Sequence, residues 1–153
     1  MSYTKQNLII IRLLREIGII EQLSRMSLER VLPGGMRISQ FAVLNHLARL
    51  GNELTHAQLV HTFRVTKGAM TNTVQRLEAL GLVEVIPHPL DGRSKRIRLT
   101  AAGYHLRNEG ISAVIPQVQQ LEDKFPIQEF LDALPFLQRL RAFFDDPGPT
   151  QTA

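Results

Sequence analysis

From Thr66 the chain runs TKGAMTNTVQRLEALGLVEVIPHPLDGRSKRIRLT, and this stretch leaves few folds open. Thr66 is a suitable N-cap, because its hydroxyl can accept an amide N–H one turn on. Helical spacing continues to Leu80, with Ala69, Val74, Leu77 and Leu80 as the expected inner face. Gly81 then stops the helix. Beyond it, Leu82 to Ile86 is rich in β-branched residues, and Ile97 to Leu99 alternates apolar with charged. Two strands are therefore expected, joined by a turn from His88 to Lys95 that contains Asp91-Gly92. The turn and second strand carry Arg93, Lys95, Arg96 and Arg98, so a helix is followed at once by a basic hairpin.

The flanking segments are helical in pattern. Leu8, Ile11, Leu14, Ile17 and Ile20 repeat at helical spacing in a first helix over 3–31, which Pro33-Gly34-Gly35 ends. A second helix is expected after Ser39, with Phe41, Leu44, Leu47 and Leu50 on its apolar side and Gly51-Asn52 as its stop. Thr55 and Gln58 have capping-box spacing and open a short helix through Phe63. With the turn Arg64-Val65 and the helix from Thr66, this gives a helix-turn-helix followed by a wing. Thr100 starts a long helix with Tyr104, Ile111, Val114, Ile115 and Val118 on one side, which Pro116 should kink or shorten. A last helix over 127–144 is interrupted by Pro135. The fold expected is mostly α with a small β-hairpin wing: a winged helix-turn-helix core over 36–100, dimerisation helices at 1–35 and 101–145, and a flexible tail at 146–153.

Composition narrows the function. With 153 residues, 44% of them hydrophobic, the chain suits one compact unit with a sizeable core. There is no cysteine, so disulfides, thiolate metal sites and a thiol redox switch are excluded. No apolar run approaches the ~20 residues of a bilayer span, and Arg12, Arg15 and Glu16 break the N-terminal apolar patch. A cytoplasmic protein is expected. Charge is unevenly spread: Arg37 to Thr100 holds nine Lys/Arg against four Asp/Glu, while the rest of the chain holds nine against ten. The positive excess sits on the segment that would face nucleic acid.

The ends of the chain are too apolar for a small central domain to cover. Leu8 and Ile11 at one end, and Phe130, Leu137 and Phe144 at the other, are expected in the interface of a two-fold dimer. An intrachain pairing of these helices is the alternative. In order and spacing, Leu77-Glu78-Ala79-Leu80-Gly81-Leu82-Val83, Asp91-Gly92-Arg93-Ser94 and Leu99-Thr100-Ala101-Ala102-Gly103 resemble the multiple antibiotic resistance regulator (MarR) family. The resemblance implies a homodimer whose two lobes bind a pseudo-palindromic DNA operator. It also implies repression, and release by a small, often phenolic or otherwise anionic effector. One departure is Val85-Ile86, where family members commonly carry an Arg.

On the recognition helix the outward polar candidates are Thr66, Lys67, Thr71, Asn72, Gln75 and Arg76. Asn72 and Gln75 suit base edges, adenine above all, and Thr71 can also bond them; Lys67 and Arg76 suit phosphates. On the wing, Arg93 is expected in a narrow minor groove with Asp91 orienting it, beside Ser94, Lys95 and Arg96. No metal or other cofactor is expected: His56 and His61 lie five apart, not the four that shares a helical face, and no Cys accompanies them. His46 and His105 are candidates to line an effector cleft. No nucleophile elbow, phosphate-cradling loop or HExxH motif occurs, so no enzyme is expected. The competing reading is a winged-helix dimerisation or protein-interaction module without DNA binding. The polar recognition face opposes it, since such a surface would carry apolar or aromatic anchors.

Overall fold

The computed structural model describes residues 4–87, 89–90 and 94–146. Its elements run α1 (Lys5–Val31), a 3-10 turn (Pro33–Gly35), α2 (Ile38–Arg49), β1 (Glu53–Thr55), α3 (His56–Phe63), α4 (Lys67–Ala79), β2 (Val83–Pro87), β3 (Lys95–Leu99), α5 (Ala101–Lys124) and α6 (Ile127–Asp145). The chain divides into two units, Met1–Val114 and Ile115–Ala153. Asp146 apart, the tail expected at 146–153 lies outside the described residues.

The first unit holds the core. Leu44, Leu47, Leu59, Leu77 and Ile97 are fully buried, so α2, α3, α4 and β3 close on one another. The sheet is antiparallel in the order β1-β3-β2. β2 pairs with β3 from Val83↔Leu99 to Pro87↔Lys95, and β1 takes the other edge of β3 from Glu53↔Arg98 to Thr55↔Arg96. Strand alternation turns Ile97 and Leu99 into the core and sets Arg96 and Arg98 on the opposite face. β1 was not expected from the sequence; its three residues are too few to show alternation.

Local chemistry explains most boundaries. The Thr55 hydroxyl accepts the Gln58 N–H at 3.1 Å and the Gln58 side chain accepts the Thr55 N–H at 2.8 Å, completing the expected capping box. Thr66 caps α4 by accepting the Ala69 N–H at 3.1 Å. Arg64, between the two helices, turns the chain through the left-handed region at φ 49°. Gly81 ends the α4 segment at φ +70°, where a side chain would be strained. Its carbonyl accepts the Thr100 hydroxyl at 2.7 Å, and that oxygen accepts the Gly103 N–H at 3.0 Å. The wing is thus tied to the start of α5. Gly103 is required there: a Cβ would lie 2.0 Å from the Leu82 carbonyl oxygen.

Four expectations need correction. Helix α2 begins at Ile38, ahead of Ser39, because the Glu29 carboxylate accepts the Ile38 N–H at 3.0 Å and also binds Arg37 at 3.0 Å. Leu50, expected on its apolar side, is the C-cap and is 56% exposed. The inner face of α4 is Met70, Val74 and Leu77; Val74 and Leu77 are as expected, but Met70 takes the place of Ala69, and Leu80, the C-cap, is exposed. Pro116 and Pro135 lie inside α5 and α6, which each run as one helix. Each proline removes a single backbone N–H, and neither helix breaks there.

In the second unit, Phe125 and Phe130 meet edge to face at 6.3 Å, and the Gln128 amide donates to Asp132 at 2.8 Å. None of the residues of α6 is buried.

Candidate nucleic-acid interface

Helix α4 is amphipathic in a way that leaves one side polar and outward. With Met70, Val74 and Leu77 buried, Lys67, Thr71, Asn72, Gln75 and Arg76 are all exposed. Five of the six recognition-helix residues expected from the sequence therefore share the free side. Thr66 is the sixth; its hydroxyl oxygen is engaged in the cap. The Thr71 hydroxyl donates to the Lys67 carbonyl at 2.8 Å. Its oxygen also lies 3.1 Å from His56 Nε2, so with its own proton spent it accepts from the imidazole. No local pattern signals this contact between the first residue of α3 and the middle of α4.

The wing cations separate by strand alternation. Lys95 is exposed, on the α4 side of the sheet, where it lines a hollow of about 350 Å³ with His56, Thr71 and Gln75. Arg96 and Arg98 point to the other face and converge on Glu53 of β1: Arg96 Nη1 donates to Oε1 at 2.8 Å, Arg98 Nε and Nη2 to Oε2 at 3.3 Å. The Arg96 hydrogen bond, reinforced by Arg98, holds the Glu53 carboxyl below the usual carboxylate range. The Ile38 N–H, with Arg37 assisting, does the same for Glu29. Arg96, expected among the DNA-facing wing residues, is ion-paired within the sheet, where one carboxylate meets two guanidiniums. Ser94 is half-buried just before β3, and Asp91 and Arg93 lie outside the described residues.

The histidines are dispersed. His46 packs edge-on against Phe63 at 5.4 Å, while His105 is exposed, 3.6 Å from Glu109. Among the described residues no three potential metal-ligating side chains cluster, and no helix is long and apolar enough to cross a membrane. The residues expected at a dimer interface, Leu8, Ile11, Phe130, Leu137 and Phe144, are all exposed in the single chain.

A short capped helix, a left-handed turn, a second helix with a polar outer side and a three-stranded wing define a winged helix-turn-helix protein. The sequence model of the MarR family matches residues 34–94, the segment from the turn before α2 to the start of the wing's last strand. The fold is similar to that of a mutant MarR from E. coli solved with operator DNA. That protein is 28% identical, with 86% of this chain and 94% of that chain covered and a TM-score of 0.78. Sco3205 from Streptomyces coelicolor, a MarR family transcriptional regulator solved with DNA, is 23% identical over 100% of this chain and 96% of its own, with a TM-score of 0.79. BldR from Sulfolobus solfataricus, a transcriptional regulator, is 23% identical over 90% and 99%, with a TM-score of 0.75. No curated protein matches the chain in sequence. The likeness to the MarR family thus rests on residues 34–94 in sequence and on the fold of the chain as a whole.

Proposed function

We propose that this chain is a DNA-binding transcriptional regulator that works as a homodimer in the cytoplasm, represses from a pseudo-palindromic operator, and is released by a small aromatic or anionic effector. The observation that carries the reading is the exposed polar side of α4, which gathers Lys67, Asn72, Gln75 and Arg76 on one face beside Lys95 of the wing. Asn and Gln can exchange paired hydrogen bonds with adenine in the major groove, while Lys and Arg hold phosphates and fix the register. Residues 36–100 supply the DNA-binding domain, and 1–35 with 101–145 the dimerisation helices. Arg93 enters the minor groove with Asp91 orienting it. The match of residues 34–94 to the MarR family model, and the 28% identity to a protein solved on its operator, support the DNA-binding part of this reading.

A salt-dependent titration tests it. Purified protein is titrated against the DNA upstream of its own gene, with scrambled DNA as control. Tight binding that prefers the upstream fragment and weakens steeply with salt, by counterion release, is expected. Association that ignores salt and sequence would favour an interaction module instead.

A further inference from the structure

A hollow of about 500 Å³ opens where the start of α3, the first residue of α4 and the start of β3 converge. Its polar lining is Thr55, His56, His61, Lys67, Ser94 and Lys95, and among the described residues no carboxylate lines it. Three arginines elsewhere on this lobe are matched to acids: Arg37 to Glu29, and Arg96 and Arg98 to Glu53. Lys67 and Lys95 are not. Among the described residues neither has an acidic partner, and both are exposed. Two ammonium groups with no acidic partner among the described residues therefore line one concave site, together with two imidazoles. The first turn of α3 adds the positive end of its backbone to the same hollow.

We propose that this hollow seats one DNA backbone phosphate per half-site, with Lys67 and Lys95 supplying the charge and His61 a further donor. The inference rests on the DNA-binding reading and deepens it. His56 joins the seat to the reading face, because its Nε2 lies 3.1 Å from the Thr71 hydroxyl. A phosphate in the hollow would be flanked by α3, α4 and the wing together, so one contact would fix all three elements against the duplex. A single strand phosphate, compact and tetrahedral, suits two point charges in one hollow better than a planar base edge does. His61, which no motif singles out, thereby gains a role as a backbone contact.

The test uses the full-length protein and the upstream duplex that it binds. Each phosphate in turn is replaced by a neutral methylphosphonate, and affinities are measured for the native protein, Lys67→Ala, Lys95→Ala and His61→Gln. At one position per half-site, neutralisation should cost the native protein about tenfold, the worth of one charge-assisted contact. All three variants should lose most of that sensitivity at the same position, and the two lysine variants should each lower the salt slope by about one. Sensitivities that stay as in the native protein, or that map to different phosphates, would overturn the single seat. Inorganic phosphate at constant ionic strength should leave binding unchanged; selective displacement of DNA would mark a small-anion site and equally overturn it. If the native protein binds no duplex at all, it is the DNA-binding reading that fails.

Discussion

Single residues set both the frame and the reading face. Gly103 is the clearest structural case. Replacing a helical glycine by alanine ordinarily gains up to about 1 kcal/mol, but here the new methyl would stand 2.0 Å from a backbone carbonyl that Thr100 and Gly81 help to fix. Gly103→Ala should therefore lower stability by about 1–3 kcal/mol, read as a fall in the urea midpoint at unchanged slope. An unchanged midpoint would mean that the β3–α5 junction yields. On the DNA side, Gln75→Ala should relax sequence preference, at a discrimination of about 1–3 kcal/mol at one base pair. A uniform loss across sequences would make Gln75 a phosphate contact. Arg93→Ala should weaken binding to the upstream fragment while leaving the dimer intact, as gel shift and light scattering would register; undiminished affinity would remove the wing contact. The exposed polar positions of α4 were legible in the sequence because helical periodicity alone sorts polar from apolar positions. Pairing was not. That Arg96 faces Glu53, forty-three residues earlier, depends on strand register, which no local pattern encodes.

At the scale of elements, signals carried by neighbouring residues were readable and those carried by distant ones were not. The Thr55–Gln58 box, the Thr66 cap and the Gly81 stop each depend on residues within a turn of one another, and each forms as its spacing implies. The start of α2 depends on Glu29, a carboxylate from the preceding helix, so Ser39 was the wrong cap. Strand β1 exists only because β3 offers it an edge, and Glu53 then bolts that edge with two guanidiniums. This bolt makes a pH prediction. Arg96 first, and Arg98 with it, depress the Glu53 carboxyl, so the ionised form stabilises the fold at neutral pH. That contribution is fully present above the ordinary carboxylate range and disappears as pH falls through the depressed folded value. The urea midpoint of Glu53→Gln should lie below the native one at pH 7, with the gap closing under acid conditions. A gap that persists unchanged at low pH would assign the loss to packing.

For the whole molecule, the decisive quantity is the apolar surface left outside. No residue of α1 or α6 is buried, although both helices are rich in Leu, Ile and Phe. Leu8 and Ile11 are each 50% exposed, and Phe144 is 59% exposed. Scattered exposed apolar residues are ordinary, but whole helical faces of them in water are not. In the proposed homodimer a second copy of the chain covers them symmetrically and brings a second α4 to the duplex. Two reading helices about one duplex turn apart, ~34 Å, reach successive major grooves on the same side of DNA. Each lobe then contributes its binding energy to one event, so affinity for a two-half-site operator depends on the pair. Placing a charge in the face separates these consequences. Ile11→Glu combined with Phe130→Glu should shift the protein from twice the chain's mass to the chain's mass in sedimentation equilibrium. The same variant should keep the helical signal of the winged lobe, whose buried residues it does not touch. Its binding to a full operator should fall towards that for a single half-site, and the steep salt dependence should shallow because half the phosphate contacts are gone. A variant that remains double the chain's mass would place the interface on other residues. A monomer that binds the full operator undiminished would detach DNA recognition from dimerisation altogether.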